Sequence, residues 1–243
     1  MKISLTLSGG GVRAVAHLGA IKALEEKGYE IEAISGTSGG AMVALLYGHG
    51  GTIEEILSLV KSFSYKDLLH FDLSSPGTLS NIKESLREFL IDRKQEIPIE
   101  ICATNLKTGE PEYFSGNLLE ATIASSSIAG LFPPIKIGEN NYIDGGHSDN
   151  LPTKNFCKRF SKNISINVNF FEQPKNMRAF EVWKAGFTIM LRSNMIHSRE
   201  LSDIHIPLKR AGEFGLFDFK SINKLFIAGY EESLRYLQNY TRK

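Results

Sequence analysis

Five residues carry the clearest chemical signal in the chain: Gly36-Thr37-Ser38-Gly39-Gly40. They fit G-x-S-x-G, the turn that lifts a serine hydroxyl out of a strand just before a helix. Small neighbours let the backbone reverse sharply. The helix that follows favours negative charge at its N-terminus, where a serine oxygen would react. The context fits, with Ile31 to Ile34 reading as a strand before the motif and the apolar stretch Ala41 to Tyr47 after it. The alternative for the same residues is a glycine-rich turn with a capping or buried serine.

A second glycine motif lies upstream, Ser8-Gly9-Gly10-Gly11-Val12-Arg13-Ala14. Gly9-x-Gly11-x-x-Ala14 between a strand and a helix satisfies the dinucleotide fingerprint, in which amide N–H groups hold a pyrophosphate. That use also needs an acid at the end of the second strand. Glu30 and Glu32 stand at its start, and Ser35-Gly36 at its end. The two motifs fit better together. Parallel strands ending on one edge bring Gly9, Gly10 and Gly11 opposite Ser38, where their N–H groups can receive an oxyanion. Arg13 then reads as an anchor for the loop.

A serine nucleophile needs a base. None of the six histidines sits in a sequence context that marks a triad. His17 falls within the first helix, and His49 closes the apolar one. His147 follows Asp144-Gly145-Gly146, a loop after the strand end Tyr142-Ile143. Asp144 on such a loop can reach Ser38 directly, its glycines allowing close approach. Aspartate is a weak base, with an ordinary pKa of about 3.9. A Ser-Asp pair therefore suits esters better than amides. A Ser-His-Asp site using His147 or His17 and a non-catalytic nucleotide-binding or regulatory domain are the other readings.

The elements needed to hold these residues recur along the chain. Ile3 to Leu7 alternates as a strand, and Val15, Leu18, Ile21 and Leu24 mark a helix ending near Gly28. Thr52 and Glu55 form a capping box for a helix with Ile53, Ile56, Leu57 and Val60 on its inner face. Ser74-Ser75-Pro76-Gly77 breaks the pattern, and Ile82, Leu86, Phe89 and Leu90 resume it. Ile99, Ile101 and Ala103 alternate, then Thr108-Gly109 turns into Tyr113-Phe114. Ile164 to Phe170 predicts a strand, 179–197 a helix, Ile204 to Leu208 a strand and Ser221 to Tyr240 a helix. Strands separated by helices predict an α/β fold with a mostly parallel sheet.

Composition bounds the rest. A chain of 243 residues with 42% apolar and 23% charged residues suits a single domain over 1–243 and excludes disorder. The formal net charge of +1 argues against nucleic acid as a partner. Two cysteines, Cys102 and Cys157, suit a reducing compartment. The N-terminal apolar stretch is too brief for a signal peptide, and no run approaches the roughly 20 residues of a membrane span. The expectation is a soluble, cytoplasmic protein whose membrane contact is transient and peripheral. Phe63, Tyr65, Leu68, Leu69, Phe71, Leu73 and Leu131-Phe132-Pro133-Pro134 are candidate walls for an apolar groove beside Ser38, or ordinary packing residues. Lys154, Lys158, Arg159 and Lys162 read as a solvated helix face, or as a patch for an anionic lipid surface. Trp183, with Phe180, Phe187 and Met190, reads as packing for the late helix.

Together these motifs resemble the patatin-like phospholipases. The resemblance rests on Gly9-Gly10-Gly11-Val12-Arg13, His17-Leu18-Gly19, Gly36-Thr37-Ser38-Gly39-Gly40 and Asp144-Gly145-Gly146. Between and beyond them stand Ala103-Thr104-Asn105-Leu106-Lys107-Thr108-Gly109, the stretch Ala124 to Pro134, and Asp149-Asn150-Leu151-Pro152, in the family's order. The resemblance runs from about residue 3 to 170, and Phe217-Asp218-Phe219 and Gly229-Tyr230 resemble bacterial members. It implies a three-layer α/β/α sandwich with a mostly parallel central sheet. It also implies hydrolysis of lipid acyl esters (phospholipase A or carboxylic ester hydrolase) through an acyl-enzyme, without metal or cofactor. Ser38 would be the nucleophile, Asp144 the base, and Gly9, Gly10 and Gly11 the oxyanion hole. Gly36 and Gly40 would form the elbow, and Gly145 and Gly146 the base loop. Three positions depart from the family's usual residues: Ala14 for glycine, Asn105 for aspartate and Ala129 for proline. Only Ala14 borders the oxyanion loop, where a helical backbone would tolerate its methyl group.

Overall fold

The computed structural model describes residues 1–63, 78–156, 159–160, 162–170 and 177–240. Tyr65, Leu68, Leu69, Phe71, Leu73, the break at 74–77, Cys157 and Lys158 lie outside the described residues.

Apolar residues alternate with small polar ones in β1 (Lys2–Leu7), and the sheet is built around it. On one side β1 pairs in parallel with β2 (Glu30–Thr37), and β2 with β3 (Ile99–Asn105). On the other side β1 pairs in parallel with β7 (Asn163–Asn167), and β7 with β8 (Ile204–Pro207). An antiparallel extension completes the sheet on β3: β4 (Pro111–Phe114), β5 (Ile135–Ile137) and β6 (Asn140–Asp144). The sheet is thus mostly parallel and mixed at one edge.

Register explains the alternation. Ile3, Leu5, Leu7, Ile34, Ile99, Ile101, Ile164, Ile166, Ile204 and Ile206 share one face and form the core. Helices α1 (Val15–Glu26), α2 (Gly39–Gly48), α3 (Ile53–Ser62) and α4 (Ser80–Leu90) add to that core. Ser4, Thr6, Ser35, Thr37, Asn163 and Ser165 occupy the opposite face and are also buried. That face is covered largely by chain without regular structure, whose carbonyls need donors. Ser35 Oγ donates to Pro152 O at 3.1 Å, and Thr37 Oγ1 to Asp149 O at 2.9 Å. Right-handed crossovers place α1 and α2 on the first face, and α6 (Ala179–Asn194), which joins β7 to β8, on the second. Helices therefore flank both faces, giving three layers. The remaining α-helices among the described residues are α5 (Leu118–Ser125), α7 (Ile196–Glu200) and α8 (Ile222–Tyr240).

Most elements match their sequence expectations, including the capping box, in which Glu55 N donates to Thr52 Oγ1 and Thr52 N to Glu55 Oε2. β2 runs on to Thr37, past the apolar residues that announced it, because β1 and β3 pair with its polar end. The strand at 163 stops at Asn167 rather than Phe170, where Asn169 N turns back to Asn167 Oδ1. The helix expected at 179–197 breaks at Met195 into α6 and α7. The described part of 154–160 is turn rather than helix, and the Lys162 ammonium lies over the Tyr240 ring. No helix among the described residues is long and apolar enough to cross a membrane.

α1 and α8 cross with backbone against backbone. A Cβ on Gly229 would lie 2.0 Å from Ala16 O, and one on Gly19 2.1 Å from Phe226 O. Neither neighbour is a side chain that can swing away. Gly229→Ala is expected to cost about 1–3 kcal/mol of stability. Urea unfolding monitored by circular dichroism checks this.

Candidate active site

β3 acts as a rail that brings two distant segments together. Its residues Ile101 and Cys102 pair with Gly36 and Thr37 on one flank and with Phe114 and Tyr113 on the other. Ala103 and Thr104 pair with Glu112 and Pro111 of β4, and also with Asp144 and Ile143 of β6. A strand residue has two flanks, so β6 must share the flank of β2. The two strands lie end to end along it and converge: β2 stops opposite Cys102, β6 opposite Ala103. Ser38 follows the last residue of β2, and Asp144 is the last residue of β6.

Ser38 sits at a sharp elbow, with φ 54° and ψ −122°, before α2 begins at Gly39. Such a backbone costs roughly 1–3 kcal/mol in a residue with a side chain and persists only where its surroundings enforce it. Here they do. Ser38 N donates to Ser125 Oγ at 2.7 Å, and Ser125 Oγ to Cys102 O at 2.5 Å, tying the elbow through α5 to the rail. A Cβ on Gly36 would lie 2.4 Å from Gly40 O, and one on Gly40 2.6 Å from Ser8 O.

Asp144 is 1% exposed. Its Oδ1 accepts from Gly146 N at 2.7 Å. Its Oδ2 is buried and makes no hydrogen bond of normal geometry, although the Ser38 hydroxyl lies close enough to help hold the charge. Burial pushes the carboxyl up from the ordinary range to about 6, against the pull of Ser38, of the Gly146 N–H and of the His147 charge. Gly145 packs on the rail, where a Cβ would lie 2.3 Å from Cys102 O. At Gly146 a Cβ would lie 2.5 Å from the Leu191 side chain.

The upstream glycine loop lies against the elbow. A Cβ on Gly9 would come within 3.1 Å of Ser38 Cβ, and one on Gly39 within 2.4 Å of Gly11 O. Gly10 and Gly11 have φ of 157° and 57°. The Gly9 N–H is engaged, donating to Asn150 O at 3.1 Å. Those of Gly10 and Gly11 have no acceptor among the described residues. The donors open to an oxyanion thus narrow to Gly10 and Gly11, while Gly9 shapes the loop. Arg13 is buried, and its Nε donates to Phe214 O at 2.6 Å, as expected of an anchor. Ala14 is helical, with φ −58° and ψ −18°, and carries its methyl group without strain. Asn105 serves the hairpin: its Oδ1 accepts from Lys107 N at 2.8 Å, so a neutral amide suffices.

The histidines stand apart. His17 is buried in α1 with Nε2 against Ser8 O at 2.9 Å, and burial lowers its pKa to about 4. His147 places Nδ1 2.9 Å from the Asp144 carbonyl and its ring edge-on to Phe187. His49 Nδ1 meets Leu45 O at 2.8 Å at the end of α2. Phe187 also stacks on Trp183, the packing role expected of that pair.

Beside Ser38 opens a narrow cavity of about 80 Å³. Val15, Met42, Val43, Leu46, Phe63 and Phe132 are among its walls, and Gly11, Ser38 and Gly39 line it too. Phe63 and Phe132 are therefore wall residues, as the sequence suggested, whereas Leu131, Pro133 and Pro134 do not line it. Sequence reading did not single out Ser125 or the cavity walls on α2, because only the folded register brings them to the elbow.

A parallel sheet with a serine elbow at its carboxyl edge defines a hydrolase-type α/β scaffold. The sequence model of the patatin-like phospholipase family matches residues 5–156. The chain belongs to that family. Over 66% of its length it is 36% identical to the lysophospholipase NTE1 of Kluyveromyces lactis, of which it spans 12%. Over 62% of its length it is 32% identical to an uncharacterized NTE family protein of Mycobacterium tuberculosis, of which it spans 44%. The solved structure of VipD from Legionella pneumophila superposes with a TM-score of 0.61 at 14% identity, over 98% of this chain and 67% of that one. That likeness is one of fold.

Proposed function

We propose that the chain hydrolyses acyl esters of lipids with Ser38 as nucleophile and Asp144 as general base. Ser38 Oγ attacks the ester carbonyl carbon while its proton passes to Asp144. The carbonyl oxygen gains the negative charge, which the Gly10 and Gly11 N–H groups stabilise. Collapse of the tetrahedral intermediate expels the alcohol, which takes the proton from Asp144, and leaves an acyl-Ser38. Water then repeats the sequence and frees the fatty acid.

The observation that carries this reading is the convergence of β2 and β6 on β3, which sets a buried carboxylate beside the Ser38 hydroxyl. Burial makes Asp144 a stronger base than an ordinary carboxylate, which an ester can use and an amide would still strain. The cavity walls suit an acyl chain, and the named lysophospholipase relatives direct the reading to lysophospholipids as the first substrates to try. His147 is held by a backbone carbonyl, so it tunes charge near Asp144 rather than relaying a proton.

A fluorophosphonate probe is expected to label the wild-type protein and not Ser38→Ala. Hydrolysis of a panel of phospholipids, lysophospholipids and short-chain esters, with products weighed by mass spectrometry, is expected to release fatty acid. His147→Ala should keep most of that activity. Labelling that survives in Ser38→Ala, or a folded His147→Ala protein without activity, overturns the dyad.

A further inference from the structure

A second cleft, of about 660 Å³, opens at the carboxyl ends of β7 and β8. Asn167, Asn169, Arg192, Arg199, His205 and Lys209 are among its walls, and among the described residues no aspartate or glutamate lines it. The three cations come from different places: Arg192 from α6, Arg199 from α7 and Lys209 from the turn after β8. None of their side chains forms an ion pair with a carboxylate among the described residues. Nearby Asp203 is turned away, its Oδ2 accepting from Asn163 N at 2.7 Å. His205 is kept neutral: burial, helped by Arg199, lowers its pKa to about 4, and Nδ1 meets Ser165 Oγ at 2.9 Å. Three cations converging on one cleft, with no acid beside them among the described residues, favour an anion there.

This cleft adjoins the glycine loop. Asn169 Nδ2, in its wall, donates to Gly9 O at 2.5 Å. Met195, also in its wall, takes Asn150 Nδ2 at 3.3 Å, and Asn150 O accepts the Gly9 N–H at 3.1 Å. One residue, Gly9, thus separates the Ser38 side chain from the cleft wall. The apolar cavity touches the loop from Gly11 and the cationic cleft from Gly9. An amphiphile with its ester at Ser38 would meet oil on one side and positive charge on the other.

We propose that the cleft binds the phosphate of a phospholipid or lysophospholipid headgroup while the acyl chain fills the apolar cavity. This rests on the hydrolase reading above and assigns its headgroup preference to Arg192, Arg199 and Lys209. Arginine forks suit phosphate oxygens.

The test compares lysophosphatidylglycerol with the monoacylglycerol of the same chain. The kcat/KM ratio of the first to the second is measured for the wild type and for Arg192→Gln/Arg199→Gln and Lys209→Gln. The ratio is expected to fall at least tenfold in the double variant, through KM. Titration calorimetry with glycerol 3-phosphate and with inorganic phosphate reports binding without turnover, and should weaken in the same variants. A ratio that does not move, or equal losses on both substrates, overturns the proposal. So does inorganic phosphate binding that needs these residues while the ratio stays fixed, which would mark a free-phosphate site instead. Turnover of a short p-nitrophenyl ester tests Ser38 chemistry separately. If that fails while glycerol 3-phosphate still binds through the arginines, the hydrolase reading falls and the anion site stands.

Discussion

Asp144→Asn is expected to lower kcat on any acyl ester by about 10²–10⁴-fold, the usual contribution of a general base. The same protein should melt later than the wild type above pH 6. The sign follows from burial, which raises the Asp144 carboxyl from 3.8 to about 6 in the folded chain. Between about pH 4 and 6 the folded state holds a proton that the unfolded chain has released. Stability therefore falls as pH rises through that window, and the deficit is complete above it. It amounts to about 3 kcal/mol at most, at 1.36 kcal/mol per unit. Asparagine keeps the oxygen that accepts from Gly146 N and carries no charge to bury. Thermal melts of both proteins at pH 4 and pH 7.5 check this, with coincidence expected at the lower pH. Catalysis runs the other way. The base must be ionised, so wild-type kcat/KM should drop tenfold per unit below about pH 6.

Gly36→Ala is expected to remove both activity and fold. Its Cβ would lie 2.4 Å from Gly40 O, 2.5 Å from Gly40 C and 2.8 Å from Ala41 N, all backbone of the first turn of α2. Relief requires α2 to move off β2, which opens the core and carries the elbow away. The cost should exceed the roughly 1–3 kcal/mol of ordinary overpacking. Gly28→Ala is the comparison. Gly28 has φ 78° but no atom within 4 Å of the new Cβ. It should cost about 1–2 kcal/mol, the penalty of left-handed backbone alone. Soluble yield and denaturant midpoints of the two variants separate them.

The proposed reactive positions stand out in the sequence because each is written into a few adjacent residues. Gly36 to Gly40 announce an elbow, and Asp144-Gly145-Gly146 a loop that can approach another chain closely. The parallel strands were legible from Ile3, Leu5 and Leu7 and their counterparts at 164 and 204, since a face buried under helices demands a period of two. Pairing was not. The antiparallel strand β5 carries Ile135 and Ile137 around a lysine, too short a signal for an element. Nothing local says that Ala103 faces Asp144 while Cys102 faces Thr37. The fate of the Gly9 N–H was hidden for the same reason, because its acceptor, Asn150, belongs to the far end of the base loop. Arg192, Arg199 and Lys209 belong to no shared sequence motif, and only the folding of three separate elements gathers them.

The rail formed by β3 makes the proposed Ser38–Asp144 chemistry hostage to a single alignment. If β6 docked one position further along, its side chains would exchange faces and the carboxylate would point to the wrong layer. Such a misthreaded molecule would keep its helices, its hydrophobic interior and almost all of its circular dichroism, yet would be inert. Turnover per molecule is thus a finer gauge of correct assembly for this protein than any measure of its secondary structure.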